Sequence, residues 1–275
     1  MRALFLFAFT ILALSSPAQY YYKDIIGTNE SSEIIRNYMK NKVSRVLLNS
    51  FDADNQKDND FYVEQQFSEA SGSLKTITRS DVSNESMLVS YVDQNGNVVR
   101  TVDSSGFVVS NTSYSYNTSG QLISMVSSSA DTASTSEMEQ HLWEWNNRKP
   151  VRMIRIKNRL DTTYIDFKLD EKGNVSEERE TRKGVIAPPV YYYYNDNNQL
   201  TDIVRYSKRA NRLLPEYMFE YSSTGQLIQK ITVPANSSEY LIWRYQYNNQ
   251  GLKTKEVIYN KQKKLTGKVE YQYFN

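Results

Sequence analysis

The chain has 275 residues, no cysteine, a single histidine and a formal net charge of +2. The missing cysteines exclude a disulfide framework and a thiolate metal site. The near-neutral balance supplies no basic stripe for nucleic acid.

Residues 1–18 read as a targeting segment. Arg2 gives the positive start, Ala3 to Leu14 is apolar, and Ser16-Pro17-Ala18 offers the small residues of a cleavage site. The expected mature chain begins at Gln19, and losing Arg2 takes its charge from +2 to +1. With no other apolar stretch of spanning length, the expectation is an exported, soluble protein, periplasmic or at the cell surface of a bacterium.

Residues 19–60 read as a cap of one helix and one strand. Asn29 is a plausible N-cap, Ile34, Ile35, Tyr38 and Met39 share a face, and Lys40 and Lys42 suit the C-terminal dipole end. The spacing predicts a helix over about 29–40, then a strand over Val43 to Leu48. This cap is expected to cover the first edge of a sheet, since open edges invite aggregation.

Residues 61–275 carry a repeat. Its first-strand ends fall at Phe67, Val92, Tyr116, Trp145, Leu169, Tyr194, Tyr221, Tyr247 and Tyr273, spaced 24 to 29 residues apart. Aromatic residues alternate with mostly polar ones, as in Tyr217-Met-Phe219-Glu-Tyr221, so one face is aromatic. A turn follows, as in Asn117-Thr-Ser-Gly120, and an apolar residue stands two places beyond the glycine slot, as in Leu122, Val175 and Leu227. Lys253 breaks that rule, and a terminal capping role explains the exception. The expected fold is all-β: a long, twisted and curved antiparallel meander of about nine hairpins with a short N-terminal helix, the rings forming the core of a thin sheet.

The run Tyr114-Ser-Tyr116-Asn117-Thr-Ser-Gly120-Gln-Leu122 resembles the tyrosine-aspartate (YD) repeat of Rhs-type bacterial surface proteins. Tyr247-Asn248-Asn-Gln-Gly251 is a second match, with Asp mostly replaced by Asn or Ser. The resemblance covers about Phe61 to Asn275. It implies a curling antiparallel sheet at a cell surface, with carbohydrate or protein contact, and brings no catalytic residues.

Candidate chemistry is sparse. His141 is alone, so it reads as a connector histidine rather than a base or ligand. Asp52, Asp54, Asp58 and Asp60 alternate like calcium ligands but lack the central glycine and distal glutamate, which favours a solvated loop. Glu144, Asp166, Glu177, Glu178, Glu180, Glu220 and Glu270 could form a hydrolase pair only if two shared a cleft; their recurrence suggests an outward, solubilising role. No cofactor is expected. Tyr20-Tyr21-Tyr22 and Tyr191, Tyr192 and Tyr193 run across both faces of their segments, so some of these rings should be exposed for contact with a polysaccharide or an envelope protein. Asp131-Thr132-Ala133 and Asp161-Thr162-Thr163 match a short O-glycosylation pattern. The leading function is therefore a non-catalytic envelope binding or scaffold module. The alternatives are a carbohydrate-binding module, a secreted hydrolase and an outer-membrane β-barrel, the last opposed by charges in Ile154-Arg-Ile-Lys-Asn-Arg159.

Overall fold

The computed structural model describes residues 20–81, 83–131, 137–234 and 237–275. The leader reading and the Asp131-Thr132-Ala133 acceptor fall largely outside them. One helix, α1 (Lys23–Lys40), precedes nineteen strands, which run from β1 (Arg45–Phe51) through β2 (Phe61–Ser68) to β19 (Leu265–Phe274). Each strand pairs antiparallel with its sequence neighbour, and β1 also pairs with β19 from Arg45↔Phe274 to Phe51↔Lys268. The short β12 (Val185–Ile186) and β13 (Val190–Tyr194) both pair with β11 (Val175–Arg182) and share one position in the ring. Nineteen strands less this shared place make an 18-stranded closed barrel.

The expected meander of nine hairpins is thereby corrected to a closed 18-stranded ring. The ninth aromatic strand, β19, has no second strand after it in sequence, and β1 takes that place, with Val46 opposite Tyr273. An open sheet would leave two rows of unpaired backbone groups, whereas closure leaves none. A ring has no terminal unit, which also removes the capping explanation of Lys253. This residue pairs with Tyr247 in the usual slot. Its Nζ reaches Glu256 at 2.5 Å and lies over the Tyr245 and Tyr271 rings.

Two devices recur around the ring. At each tight turn an Asn, Asp or Ser closes the loop. Asn117 N–H donates to the Gln121 carbonyl, and Asn117 Oδ1 accepts from the N–H groups of Ser119 and Gln121. Gly173 shows why the turn ends on glycine: its φ is +81°, and a Cβ would stand 2.7 Å from Lys149 Cε. Asn198 fills the same slot at φ 59°, which asparagine tolerates. A β-bulge then falls just before the last aromatic, as between Ser115 and Tyr116 or between Glu220 and Tyr221.

The second device joins neighbouring hairpins. The hydroxyls of Tyr116, Tyr194, Tyr221, Tyr247 and Tyr273 donate to the carbonyls of Val98, Val175, Leu200, Leu227 and Lys253, at 2.6 to 2.9 Å. Trp145 Nε1 does the same to Leu122 at 2.8 Å. Each acceptor lies two residues past a turn in the preceding unit. The repeat thus specifies both the hairpin and its bond to the next.

The rings face inward, and the core is completed by α1 rather than by a thin sheet alone. At one end of the helix Tyr22 packs on Phe167 and Tyr192, and Tyr20 on Tyr217. At the other, Tyr38 meets Tyr273 and donates to Gln65 at 2.7 Å. Eighteen residues give a rod of about 27 Å, which reaches from one wall to the opposite one. Arg36 donates to Asn97 in a tight turn, so the helix bars the interior near the tight-turn rim. The expected cap over a sheet edge is overturned, since β1 has a partner on both sides.

The helix starts at Lys23, not Asn29, and its buried face is polar at that end: Asp24, Thr28 and Ser32 precede Ile35 and Tyr38. Thr28 Oγ1 donates to the Asp24 carbonyl, and Ser32 Oγ accepts the Val98 N–H. No helix among the described residues is long and apolar enough to cross a membrane, which says nothing of the strands.

Candidate functional site

The helix start is held by charges from the wall. Tyr22 is the N-cap residue and makes no side-chain cap. Instead Glu178 on β11 accepts from the backbone N–H groups of Tyr21 (2.9 and 3.0 Å) and Tyr22 (2.9 Å), and from the Tyr192 hydroxyl (2.7 Å). A carboxylate beside orphan N–H groups also meets the positive end of the helix dipole. Burial pushes the Glu178 carboxyl above its ordinary pKa, against these three groups, which favour its charged form.

A second chain of charges lies beside it. Asp24 Oδ2 meets His141 Nδ1 at 2.5 Å, His141 Nε2 meets Glu139 Oε1 at 2.9 Å, and Glu139 Oε2 accepts from Arg155 at 2.6 Å. His141 is a β8 residue only 1% exposed, so it is a core strut rather than a connector histidine. Burial alone would lower its pKa; the Asp24 and Glu139 carboxylates outweigh that and lift it to about 9. Burial would raise Glu139, yet hydrogen bonds from His141 and Arg155 bring it down to about 2. The imidazole is therefore a fixed cation between two acids. With both ring nitrogens engaged, it has no free lone pair for general-base work or metal ligation.

The acidic loop is exposed and self-satisfied. Asp52 Oδ1 accepts from the backbone of Asp54 and Gln56, and Asp58 Oδ1 from that of Asp60. Among the described residues no group of three metal-ligating side chains is assembled. The hydrolase candidates also disperse. Glu178 is internal, while Asp166 is tied to Arg152, and Glu177 to Lys168 and Arg179.

The tyrosines divide. Tyr21 and Tyr192 are buried at 4% and 3%, and Tyr20 and Tyr22 pack on inward rings, so these four belong to the barrel interior. Tyr191 and Tyr193 pair with Val204 and Asp202 on the outer face, and Tyr193 is 48% exposed. They border an open depression of about 590 Å³, together with Asp170, Glu177 and Asn195. Period-two alternation in the Tyr191–Tyr194 run separates the outward rings from the inward ones. The Glu178 and Asp24–His141 anchors have no local sequence signal, because each joins residues more than a hundred positions apart.

No family model matches the chain, and no curated protein matches it. Solved structures with some likeness include a chain of the Photorhabdus luminescens Tc holotoxin pore (TccC3-D651A), at 14% identity and TM-score 0.34. The alignment covers 78% of this chain and 12% of that one. Another is a porin-like protein from Bacteroides uniformis, at 10% identity and TM-score 0.39, covering 84% and 98%. At such scores neither likeness carries a fold or a function across.

Proposed function

We propose that the protein is an exported β-barrel of the bacterial envelope that stands in water, with an interior barred by its own helix, and that it binds rather than catalyses. The observation that supports this most is the charge on the outer wall at mid-strand. Arg152 pairs with Asp166 at 2.6 Å, Arg179 and Lys168 with Glu177 at 2.5 and 3.1 Å, and Lys255 and Lys268 with Glu270 at 3.2 and 2.9 Å. A lipid-facing wall needs an unbroken apolar band, and each Arg or Lys at the bilayer midplane costs about 2–4 kcal/mol. Extraction tests this directly: the folded protein should remain soluble without detergent and leave envelope fractions in alkaline carbonate.

The binding surface in this reading is the depression beside Tyr191 and Tyr193, where the exposed Tyr193 ring and the half-buried Tyr191 ring, next to carboxylate and amide groups, suit a polyhydroxylated ligand such as a polysaccharide. Retention on immobilised glycans should fall with Tyr193→Ala, without loss of thermal stability. The YD-type repeat is part of the same proposal, as a wall-building unit.

The second reading is an outer-membrane barrel. Closure of an even number of antiparallel strands favours it. Retention in the membrane pellet after carbonate, with detergent required for release, would establish it in place of the first.

A further inference from the structure

The two rims of the barrel differ in chemistry. The rim opposite the tight turns carries the four most exposed large apolar side chains among the described residues: Phe107 (77%), Leu160 (91%), Val185 (71%) and Ile186 (62%). They sit in or beside three connections, β5–β6, β9–β10 and β11–β12. Cations share the rim with Leu160, Val185 and Ile186, though not with Phe107. Arg159 adjoins Leu160 and Lys183 precedes Val185; Lys208 and Arg209 follow on the β14–β15 connection, and Lys263 and Lys264 on β18–β19. All six are exposed, and none enters an ion pair among the described residues. The aspartates of the 52–60 loop lie beside the β18–β19 connection, so the cationic arc clear of them runs from β9–β10 to β14–β15.

Single exposed side chains at the tips of rigid hairpins do not make the flat, contiguous patch of a protein interface. Tips with cations beside them match a bilayer boundary, where aliphatic and aromatic groups enter the headgroup layer and Lys and Arg meet lipid phosphates. We propose that this rim docks the barrel, end on, onto an anionic lipid surface. The inference rests on the water-exposed reading above, since a lipid-embedded wall would leave these tips beyond the bilayer.

The test is co-sedimentation of the full protein, in detergent-free buffer, with vesicles of phosphatidylcholine alone or mixed with phosphatidylglycerol. Binding is expected only to the anionic vesicles. It should weaken about fivefold for each rim cation neutralised, as in Lys208→Gln and Arg209→Gln, and be released near 1 M salt, where the Debye length is about 3 Å. The double change Phe107→Ser with Leu160→Ser should reduce binding at least tenfold at unchanged melting temperature, whereas Tyr193→Ala should leave it intact. No binding, equal binding to both vesicles, or full binding by the serine variant would overturn the proposal. Concentration-dependent dimers dissolved by the serine changes, without vesicle binding, would make the rim a self-association surface instead. A protein that stays soluble only in detergent fails the water-exposed reading first, and this one with it.

Discussion

The hydroxyl of Tyr221 donates to the carbonyl of Leu200, 2.9 Å away, across the seam between two successive hairpins. At this end of each unit the β-bulge and turn pull the backbone out of ladder pairing, so the ring supplies a bond that the ladder lacks. Phe67, Val92 and Leu169 stand at the equivalent positions without a side-chain donor. At two of these seams the backbone compensates: Phe67 N–H donates to the Ser44 carbonyl and Val92 N–H to that of Gly72.

Tyr116→Phe and Tyr247→Phe should each lower stability by about 1 kcal/mol, the usual net worth of such a bond. They lie on distant seams and share no partner, so the double change should cost their sum to within about 0.5 kcal/mol. Urea unfolding monitored by circular dichroism measures both.

The Asp24–His141–Glu139 chain should give stability a defined pH profile. The His141 pKa is raised from 6.5 to about 9; its stabilisation is complete below 6.5 and is lost as pH rises through 9. Glu139 is lowered from 4.5 to about 2; its share is complete above 4.5 and is lost as pH falls through 2. Both are therefore at full strength between 4.5 and 6.5. In His141→Asn the alkaline decline of the melting temperature should flatten.

Removing Asp24 leaves the buried His141 Nδ1 without a partner while Glu139 still holds Nε2. Asp24→Ala should destabilise by about 1–3 kcal/mol, and Glu178→Ala should expose the Tyr21 and Tyr22 amides to faster hydrogen exchange. Unchanged exchange there would show that the helix start is held by packing alone.

Ring closure can be trapped covalently. Asn49 and Glu270 face each other across the β1–β19 seam, where antiparallel partners have Cα atoms about 4.5–5.5 Å apart, within disulfide range. The chain has no cysteine of its own. Asn49→Cys with Glu270→Cys should therefore oxidise to a cross-linked monomer, which runs faster than the reduced form in denaturing gels. Only intermolecular products would mean that the seam is open.

What could be read from the residues is local. Alternation in Tyr217-Met-Phe219-Glu-Tyr221, the Asn and Gly of each turn, and the recurring spacing fix strand, turn and inward face, because each rests on contacts within one hairpin or between adjacent ones. The same alternation predicted two-faced exposure around Tyr191 to Tyr193, and the wall separates them accordingly.

The rest depended on partners that no window of sequence brings together. Arg45 meets Phe274 only because the accumulated twist and bulges of the intervening strands return the sheet to its start; the same repeat is compatible with an open sheet at every step until the last. The N-cap type Asn29 marks a late helix start, and upstream of the apolar face Asp24, Thr28 and Ser32 give no apolar stripe. They become an interior face only when Glu178, His141 and the Val98 amide satisfy the helix start and its buried polar groups, and that supply of distant hydrogen bonds is what the tertiary structure decided.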